Sequence, residues 1–359
     1  RPDLAGLGVG ELGDGGPATN ATLNLPSGLA FDGQGALFIA DTANNRIRRL
    51  ELKSGIITTV AGTGASGFSG DGGPAGMATL SRPSGVAVTA RYLFIATEGR
   101  IRRVDRTSGV IATAAGGARR AEFPDREVSG DGGPATGVNL APSAVAVDRN
   151  GDLWIVERWN HRIRRVEAGT DIITTVAGTG IRGYGSDGPG AAKTHLNHPG
   201  GIAFDSSGTL FLSDTGNHRV LRVVRATGDI STAAGVGRRA FFSLERAQDS
   251  SALQPADLAA VAVDLDGNLY VADRGSNAIR KMSVATGVGV TIAGREDVLT
   301  EHKRLFGGDG GPATLAYFSG PSALALDGRG NLFIADTWNH RIRKIALAKD
   351  VEDIEVWGD

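Results

Sequence analysis

The chain has 359 residues, with 38 basic and 39 acidic side chains and a formal net charge of −1. This balance provides no overall positive field to attract nucleic acid or an anionic membrane. There is no cysteine, which excludes disulfides and thiolate metal ligands, and no apolar run approaches the roughly 18 residues of a membrane span. The 54 glycines and 6% aromatic residues favour many short strands joined by tight turns.

The first predicted unit contains four strands divided by turn residues. Gly28 to Phe31 precedes a hairpin of the Asp-Gly type, and Ala36 to Ala40 has the apolar composition of a strand covered on both faces. Arg46 to Leu52 alternates charged with apolar residues, which predicts a position nearer the surface. Ile56 to Ala61 is a β-branched fourth strand. Four antiparallel strands of this kind form one blade of a β-propeller.

The unit occurs six times along the chain. One position recurs at intervals of 57 to 63 residues and is occupied by Pro26, Pro83, Pro142, Pro199, Leu258 and Pro321. A fixed period indicates a repeat architecture in which each unit packs on its neighbours. The sequence therefore predicts one all-β domain over 1–359, a six-bladed β-propeller of four-stranded antiparallel blades. The predicted blades are 26–62, 83–116, 142–178, 199–235, 258–294 and 321–358, and 353–357 is expected to complete the last one.

The long linkers between blades repeat as well. A GDGGPA motif or a variant of it begins at Gly13, Gly70, Gly130, Ser186 and Gly308. Aspartate followed by glycines, proline and an alanine-rich stretch predicts a short helical turn that is capped by the aspartate. The apolar residue at the end of each linker is expected to hold this turn against the propeller; these residues are Leu23, Leu80, Leu140, Leu196 and Phe318. Calcium binding by the aspartates is the disfavoured alternative, because the ligand spacing of an EF-hand is missing.

Three units contain Asn-His-Arg followed by Ile or Val, starting at Asn160, Asn217 and Asn339, with an acidic residue three positions before the asparagine. This pattern resembles the signature of NHL-repeat propellers, and the GDGG linkers are similar to those of secreted bacterial NHL proteins and of the teneurin NHL domain. The second unit departs from it with Thr97-Glu98-Gly99-Arg100, and the fifth has Ala278 in place of arginine. The resemblance implies a six-bladed propeller of a family whose members bind proteins, RNA or ligands and are occasionally enzymes.

The charged residues that recur in the blades are interpreted as structural, because a need common to all blades is a need of the fold. The acidic set is expected to accept hydrogen bonds from turn amides and to pair with arginine on the next strand. This set is Asp41, Glu157, Asp214, Asp273 and Asp336. The recurring arginines are expected to form hydrogen bonds between blades, with a phosphate-binding surface as the alternative. They are Arg48, Arg102, Arg164, Arg222, Arg280 and Arg343.

Motifs for chemistry are weak. His195 and His198 have a spacing that zinc could use, but a third ligand is not evident. Asp264, Asp266 and Asn268 are predicted to form a hairpin turn, with a calcium loop as the alternative. No G-x-S-x-G motif occurs. The repeated serines Ser27, Ser84, Ser143 and Ser322 are predicted to line one mouth of the central channel. We therefore predict no catalytic residue, metal or cofactor.

The departures from the repeat are predicted to bind a partner. Three linkers are long and charged, at 118–128, 238–251 and 295–306. In an up-and-down blade these linkers emerge on the same face as the turn between the second and third strands. Exposed tryptophan and arginine on one face are typical of binding hot spots. The predicted binding residues are Arg119, Arg120, Arg158, Trp159, Phe241, Phe242, Arg274, Arg304 and Trp338. The alternative is that the two tryptophans only cover the linker helices.

The leading hypothesis is a non-catalytic binding scaffold that is part of a larger secreted or surface protein. Its partner, a protein or small ligand, would bind the linker-rich face, and its localisation would be extracellular or periplasmic. The first alternative is a metal-dependent enzyme of the propeller lyase or lactonase kind, with its site in the central channel. The predicted inner strands offer almost no carboxylate for that purpose. RNA binding is the second alternative, and the balanced charge disfavours it.

Overall fold

The fold consists of six four-stranded sheets, each with its strands in chain order and antiparallel. The computed structural model describes residues 12–117, 130–235, 257–284, 289–295 and 306–347, together with the backbone of 354–357. The prediction of a six-bladed propeller is confirmed. Of the predicted binding residues, Arg119, Arg120, Phe241, Phe242 and Arg304 lie outside the described residues.

The four strands of blade 1 lie where they were predicted, and blades 2 and 3 repeat their arrangement. Blade 1 contains β1 (Pro26–Phe31), β2 (Ala36–Asp41), β3 (Arg46–Glu51) and β4 (Ile56–Ala61). Blade 2 contains β5 (Gly85–Val88), β6 (Tyr92–Thr97), β7 (Arg100–Asp105) and β8 (Ile111–Gly116). Blade 3 contains β9 (Ala144–Val147), β10 (Leu153–Glu157), β11 (Arg162–Val166) and β12 (Ile173–Ala177).

The other three blades have the same arrangement. Blade 4 contains β13 (Ile202–Phe204), β14 (Leu210–Asp214), β15 (Arg219–Val224) and β16 (Asp229–Ala234). Blade 5 contains β17 (Leu258–Val263), β18 (Asn268–Asp273), β19 (Ala278–Ser283) and β20 (Gly289–Ala293). Blade 6 contains β21 (Pro321–Leu326), β22 (Asn331–Asp336), β23 (Arg341–Ala346) and β24 (Ile354–Trp357). As predicted, the last strand completes blade 6 by pairing with β23.

The core lies between neighbouring blades. All six residues of β2 are buried, as its unbroken apolar composition predicts. The expectation that β3 lies nearer the surface is wrong, because four of its six residues are buried, Arg46 and Arg48 among them. These arginines can be buried because their guanidinium groups donate hydrogen bonds to carbonyl and carboxylate oxygens.

Blade 6 closes the ring against blade 1 through side chains. The rings of Phe31 and Phe333 stack with centroids 6.4 Å apart. The Thr337 hydroxyl donates to the Pro26 carbonyl at 2.7 Å, and the Leu25 N–H donates to Nδ1 of His340 at 3.1 Å. Each sheet in the described ranges takes all four strands from its own repeat, so these contacts and the apolar cluster around them hold the first and last blades together.

The histidine of the repeat signature has a structural role in the turn after the second strand. Its position has left-handed backbone geometry, which Asn, His and Gly adopt more readily than other residues. The residues there are Asn45, Gly99, His161, His218, Asn277 and His340, with φ between 50° and 79°. In four blades the side chain also accepts an N–H from the residue before the next blade. These pairs are Asn45 with Arg82, His161 with His198, Asn277 with Gly320, and His340 with Leu25.

The linkers form the predicted short turns, which are 3₁₀ helices. They span Ala18–Asn20, Ala75–Met77, Ala135–Gly137, Ala191–Lys193 and Ala313–Leu315. Similar turns at Thr42–Asn44, Thr215–Asn217 and Thr337–Asn339 follow β2, β14 and β22. The apolar linker ends are buried as predicted. The predicted aspartate cap is wrong: no side chain caps these linker turns, and where the motif proline is present it lies before the helix in an extended conformation.

None of the helices in the part of the chain that the structure describes is long and apolar enough to cross a membrane.

Candidate binding site at the channel mouth

The buried carboxylates of the blades have a structural role, as predicted: they accept hydrogen bonds from amide groups and pair with arginine. Asp41 has no exposed surface and accepts hydrogen bonds from the Asn24 N–H at 2.7 Å and the Asn44 amide at 2.9 Å. Its ion pair with Arg48 measures 3.5 Å. Burial raises the pKa of Asp41 to about 6, against the opposing effect of these partners, and burial likewise raises the pKa of Asp336 to about 6.

The linker aspartates pair with buried arginines. Arg48 binds Asp14 at 2.8 Å, which fastens the linker to the blade that follows it. The same pair forms between Arg102 and Asp71, Arg164 and Asp131, and Arg343 and Asp309. The recurring arginines were expected to form hydrogen bonds between blades. In these four cases they bind a linker aspartate instead. Sequence reasoning missed this role because capping and ion pairing favour the same residue type.

Blade 4 corrects the predicted arginine set. Leu221, and not Arg222, lies in register with Arg48, since Leu221 pairs with Thr232 as Arg48 pairs with Thr59. Arg222 is exposed. Arg219 at the start of β15 takes over the function and binds Asp214 at 3.0 Å.

Three exposed aromatic residues in the linkers stack on arginines of the third strands. The Arg100 guanidinium lies 3.4 Å from the Phe68 ring centroid, that of Arg219 lies 4.0 Å from Tyr184, and that of Arg341 lies 3.5 Å from Phe306. These are cation–π contacts, so the three exposed rings have a structural explanation. Each ring lies three residues before a linker aspartate, a regularity in the sequence that could have revealed the contact.

The residues considered as metal ligands have other partners. His195 shares a hydrogen bond with Thr179 at 2.8 Å, and the His198 ring packs against His161 with centroids 4.7 Å apart. Asp264 accepts backbone and side-chain hydrogen bonds within its own hairpin, as predicted for a turn. Within the described ranges no three His, Asp or Glu side chains are placed to hold a metal ion.

A cavity of about 200 Å³ opens at the mouth of the central channel. The second residue of each predicted blade lines it, which confirms the predicted serine ring. These six residues are Ser27, Ser84, Ser143, Gly200, Ala259 and Ser322. Arg158 and Arg274 also line the cavity, so two of the predicted binding residues lie at the channel mouth.

These two arginines replace a threonine that has a structural function elsewhere. In blades 1, 4 and 6 the corresponding hydroxyl donates to a carbonyl of the next blade. The pairs are Thr42 with Pro83 at 2.7 Å, Thr215 with Leu258 at 2.6 Å, and Thr337 with Pro26 at 2.7 Å. Blade 2 has Glu98 at this position. Blades 3 and 5 therefore give up a contact between blades and place a guanidinium group at the cavity instead.

Asp257, which precedes blade 5, joins the two arginines. Arg274 binds one of its oxygens through Nε at 2.9 Å and Nη2 at 2.6 Å. Arg158 reaches past blade 4 to the other oxygen at 3.9 Å. Desolvation, and then the charge of Arg274, lower the pKa of Arg158. The three side chains place two positive charges and one negative charge at the mouth.

Trp159 and Trp338 lie on the same face, on blades 3 and 6. Trp159 is 49% exposed, and its ring meets that of His198 edge to face at 5.0 Å. Trp338 is 43% exposed and packs on Gly320, where a Cβ atom would lie 2.6 Å from the indole. Each tryptophan covers the residue before a blade, and about half of its surface remains available to a partner.

The fold and the repeat define a closed six-bladed β-propeller. The family model of the NHL repeat matches residues 23–50, 140–166 and 196–222, and the model described as the teneurin NHL domain matches residues 220–346. The chain belongs to the NHL-repeat propeller family.

The chain spans about a quarter or less of the two curated relatives described here. Human Teneurin-4 is 28% identical over 93% of the chain, which covers 12% of the human protein. The chloroplastic protein SUPPRESSOR OF QUENCHING 1 of Arabidopsis thaliana is 25% identical over 75% of the chain, which covers 26% of the plant protein. A solved structure from Bacteroides thetaiotaomicron, of unknown function, has a TM-score of 0.63 and 19% identity, with 96% of this chain and 72% of that one aligned. This structural likeness concerns the fold alone.

Proposed function

We propose that the chain is a non-catalytic binding module whose partner protein docks on the face around the channel mouth. The observation that carries this proposal is the half-exposed Trp159 beside Arg158, at the place where blade 3 departs from the repeat. Tryptophan and arginine are the side chains that most often dominate binding energy at interfaces.

The fold does not require a large aromatic residue at this position. The corresponding residues of blades 1, 4 and 5 are Ala43, Gly216 and Gly275. Ala43 and Gly216 donate their N–H to the segment before their own blade, as Trp338 does, so the turn forms without an indole. The side chains of Trp159 and Trp338 are therefore additions to the turn, and a binding role accounts for their exposure.

No residue in the described lining of the cavity favours the enzyme alternative. The described lining of the cavity consists of serine hydroxyls, small apolar residues and two arginines, without a histidine or carboxylate. Elemental analysis of the purified chain tests it directly, since a stoichiometric divalent metal would contradict the non-catalytic proposal. The extracellular or periplasmic localisation also stays a proposal, because one relative is chloroplastic by name.

The binding face can be tested with peptides selected from a random display library on the wild-type chain. We expect Trp159→Ala to weaken the selected peptides about tenfold or more, because it removes a hot-spot side chain. Alanine is compatible with this turn, as Ala43 shows. Fluorescence anisotropy with labelled peptides gives the dissociation constants.

The matched control is Leu265→Ala. Leu265 is 79% exposed in the hairpin between β17 and β18, on the opposite face of the propeller. This substitution should leave peptide binding unchanged. Peptides that respond to Leu265→Ala and not to Trp159→Ala would place binding on the opposite face and overturn the proposal.

A further inference from the structure

We infer that the channel mouth receives an acidic side chain of the partner, held between Arg158 and Arg274. This inference rests on the proposed binding function and names the chemistry that the partner must present there. The cavity measures about 200 Å³, several times the roughly 30 Å³ that a water molecule takes up in the liquid, so one carboxylate side chain fits.

The arginines have donors to spare. Both contacts of Arg274 with Asp257 go to the same oxygen, Oδ2. Arg158 has the 3.9 Å contact to Oδ1, and its guanidinium forms no hydrogen bond within the described part of the chain. A guanidinium carries five N–H donors in a planar fork that matches a carboxylate. A second carboxylate at the mouth would therefore find charge-assisted hydrogen bonds that Asp257 leaves unused.

The charges around the mouth favour an anion. Burial, followed by the charges of Arg158 and then Arg182, lowers the pKa of His198, so Arg182 also lies near this histidine. Asp257 opposes these positive charges, while Glu98 in blade 2 accepts a hydrogen bond from Ser81 and does not line the cavity. A bound carboxylate would add an opposite charge beside Arg158 and so offset the desolvation and the repulsion by Arg274 that lower the pKa of Arg158.

The serine ring adds a neutral donor. Ser27 and Ser322 are bonded to Thr42 and Thr337, each at 2.5 Å. Ser84 lines the same cavity in the blade that lacks this threonine, and its buried hydroxyl has no hydrogen-bond partner among the described residues. Blades 2 and 3 lack this threonine. The Ser84 hydroxyl and the Arg158 guanidinium therefore belong to adjacent blades at the mouth.

The test uses N-acetylglutamate α-amide as the probe and its glutamine analogue as the uncharged control, at constant ionic strength. Binding is followed by NMR through the arginine Nε–H signals of the 359-residue chain. We expect the glutamate probe to shift the Arg158 and Arg274 signals, and the glutamine probe to leave them in place. Equal shifts with both probes would overturn the inference.

Arg158→Thr is the decisive variant, because threonine is the residue that blades 1, 4 and 6 use at this position. It should raise the dissociation constant of the glutamate probe about tenfold, while Arg158→Lys retains part of the binding. Arg91→Gln, which removes an exposed arginine that pairs with Asp105, is the control and should have no effect. An unchanged dissociation constant in Arg158→Thr would contradict the inference.

Two further results separate the possible failures. If inorganic phosphate binds at this site and the glutamate probe does not, the mouth is an anion site of another kind and the inference is wrong. If display-selected peptides lose affinity in Trp159→Ala but keep it when their acidic residues become amides, the inference fails while the proposed function stands. If they keep affinity in both experiments, the proposed function fails as well.

Discussion

Replacing Arg280 by leucine is expected to lower the free energy of unfolding by about 3–5 kcal/mol, because it removes an arginine that pairs with a buried carboxylate. Arg280 binds the fully buried Asp273 at 3.0 Å and the Thr291 hydroxyl at 2.8 Å. The first residue of β19 is Ala278, so this strand has no second arginine that could take the place of Arg280.

Arg48→Leu in blade 1 is the matched control and should be less destabilising. Here Arg46 begins the strand, and blade 4 shows that an arginine at this place can serve the carboxylate when leucine occupies the third position: Arg219 binds Asp214 beside Leu221. Urea denaturation at pH 7.5, where Asp41 is ionised, gives both free energies. A larger loss for Arg48→Leu than for Arg280→Leu would contradict this explanation of the departure in blade 4.

His161→Asn is expected to make the chain more stable than the wild type at pH 5 and about as stable at pH 7.5. Nδ1 of His161 accepts the N–H of His198 at 3.1 Å, which requires a neutral ring. Burial, followed by the charges of His198 and Arg182, lowers the pKa of His161 to about 4. The ordinary value of 6.5 applies in the unfolded chain.

Because the pKa is lowered on folding, the stability that neutral His161 contributes is complete above pH 6.5 and is lost as the pH falls towards 4. At pH 5 the wild type has lost about 2 kcal/mol in this way, and asparagine avoids the loss. Asn45 and Asn277 adopt the same left-handed geometry and accept the same hydrogen bond in blades 1 and 5.

Denaturant unfolding of both proteins at the two pH values checks this prediction. The reverse substitution, Asn45→His in blade 1, should introduce a new loss of stability between pH 7.5 and 5. If the difference between His161→Asn and the wild type were the same at both pH values, the proposed neutral state of His161 would be wrong.

The sequence predicted the architecture well because the six units share one period. Turn residues such as Asp32 and Gly33 mark the strand ends, and the repeated proline position fixes the phase of each blade. The serine ring followed from the same phase. Local signals of this kind do not depend on which residues meet across the ring.

The roles of side chains were harder to predict where two uses compete. Asp14 could cap a turn or bind Arg48. The choice depends on how the linker packs on the blade, which the local sequence does not show. Arg222 was assigned by spacing, but the pairing of Leu221 with Thr232 shows the true register.

Arg158 and Arg274 were predicted on the binding face without their common partner. Asp257 is 99 residues from Arg158 along the chain, and the curvature of the ring brings them together. The repeat itself held the missing signal, because both arginines stand where three other blades have threonine. A comparison of the blades position by position would have singled out this pair.

A crystal structure of the chain with the tightest display-selected peptide tests most directly whether a partner binds at the channel mouth. We expect the peptide to contact Trp159 and to place a carboxylate between Arg158 and Arg274. A peptide bound to the hairpins around Leu265, or to the outer strands with the channel mouth uncovered, would contradict this expectation.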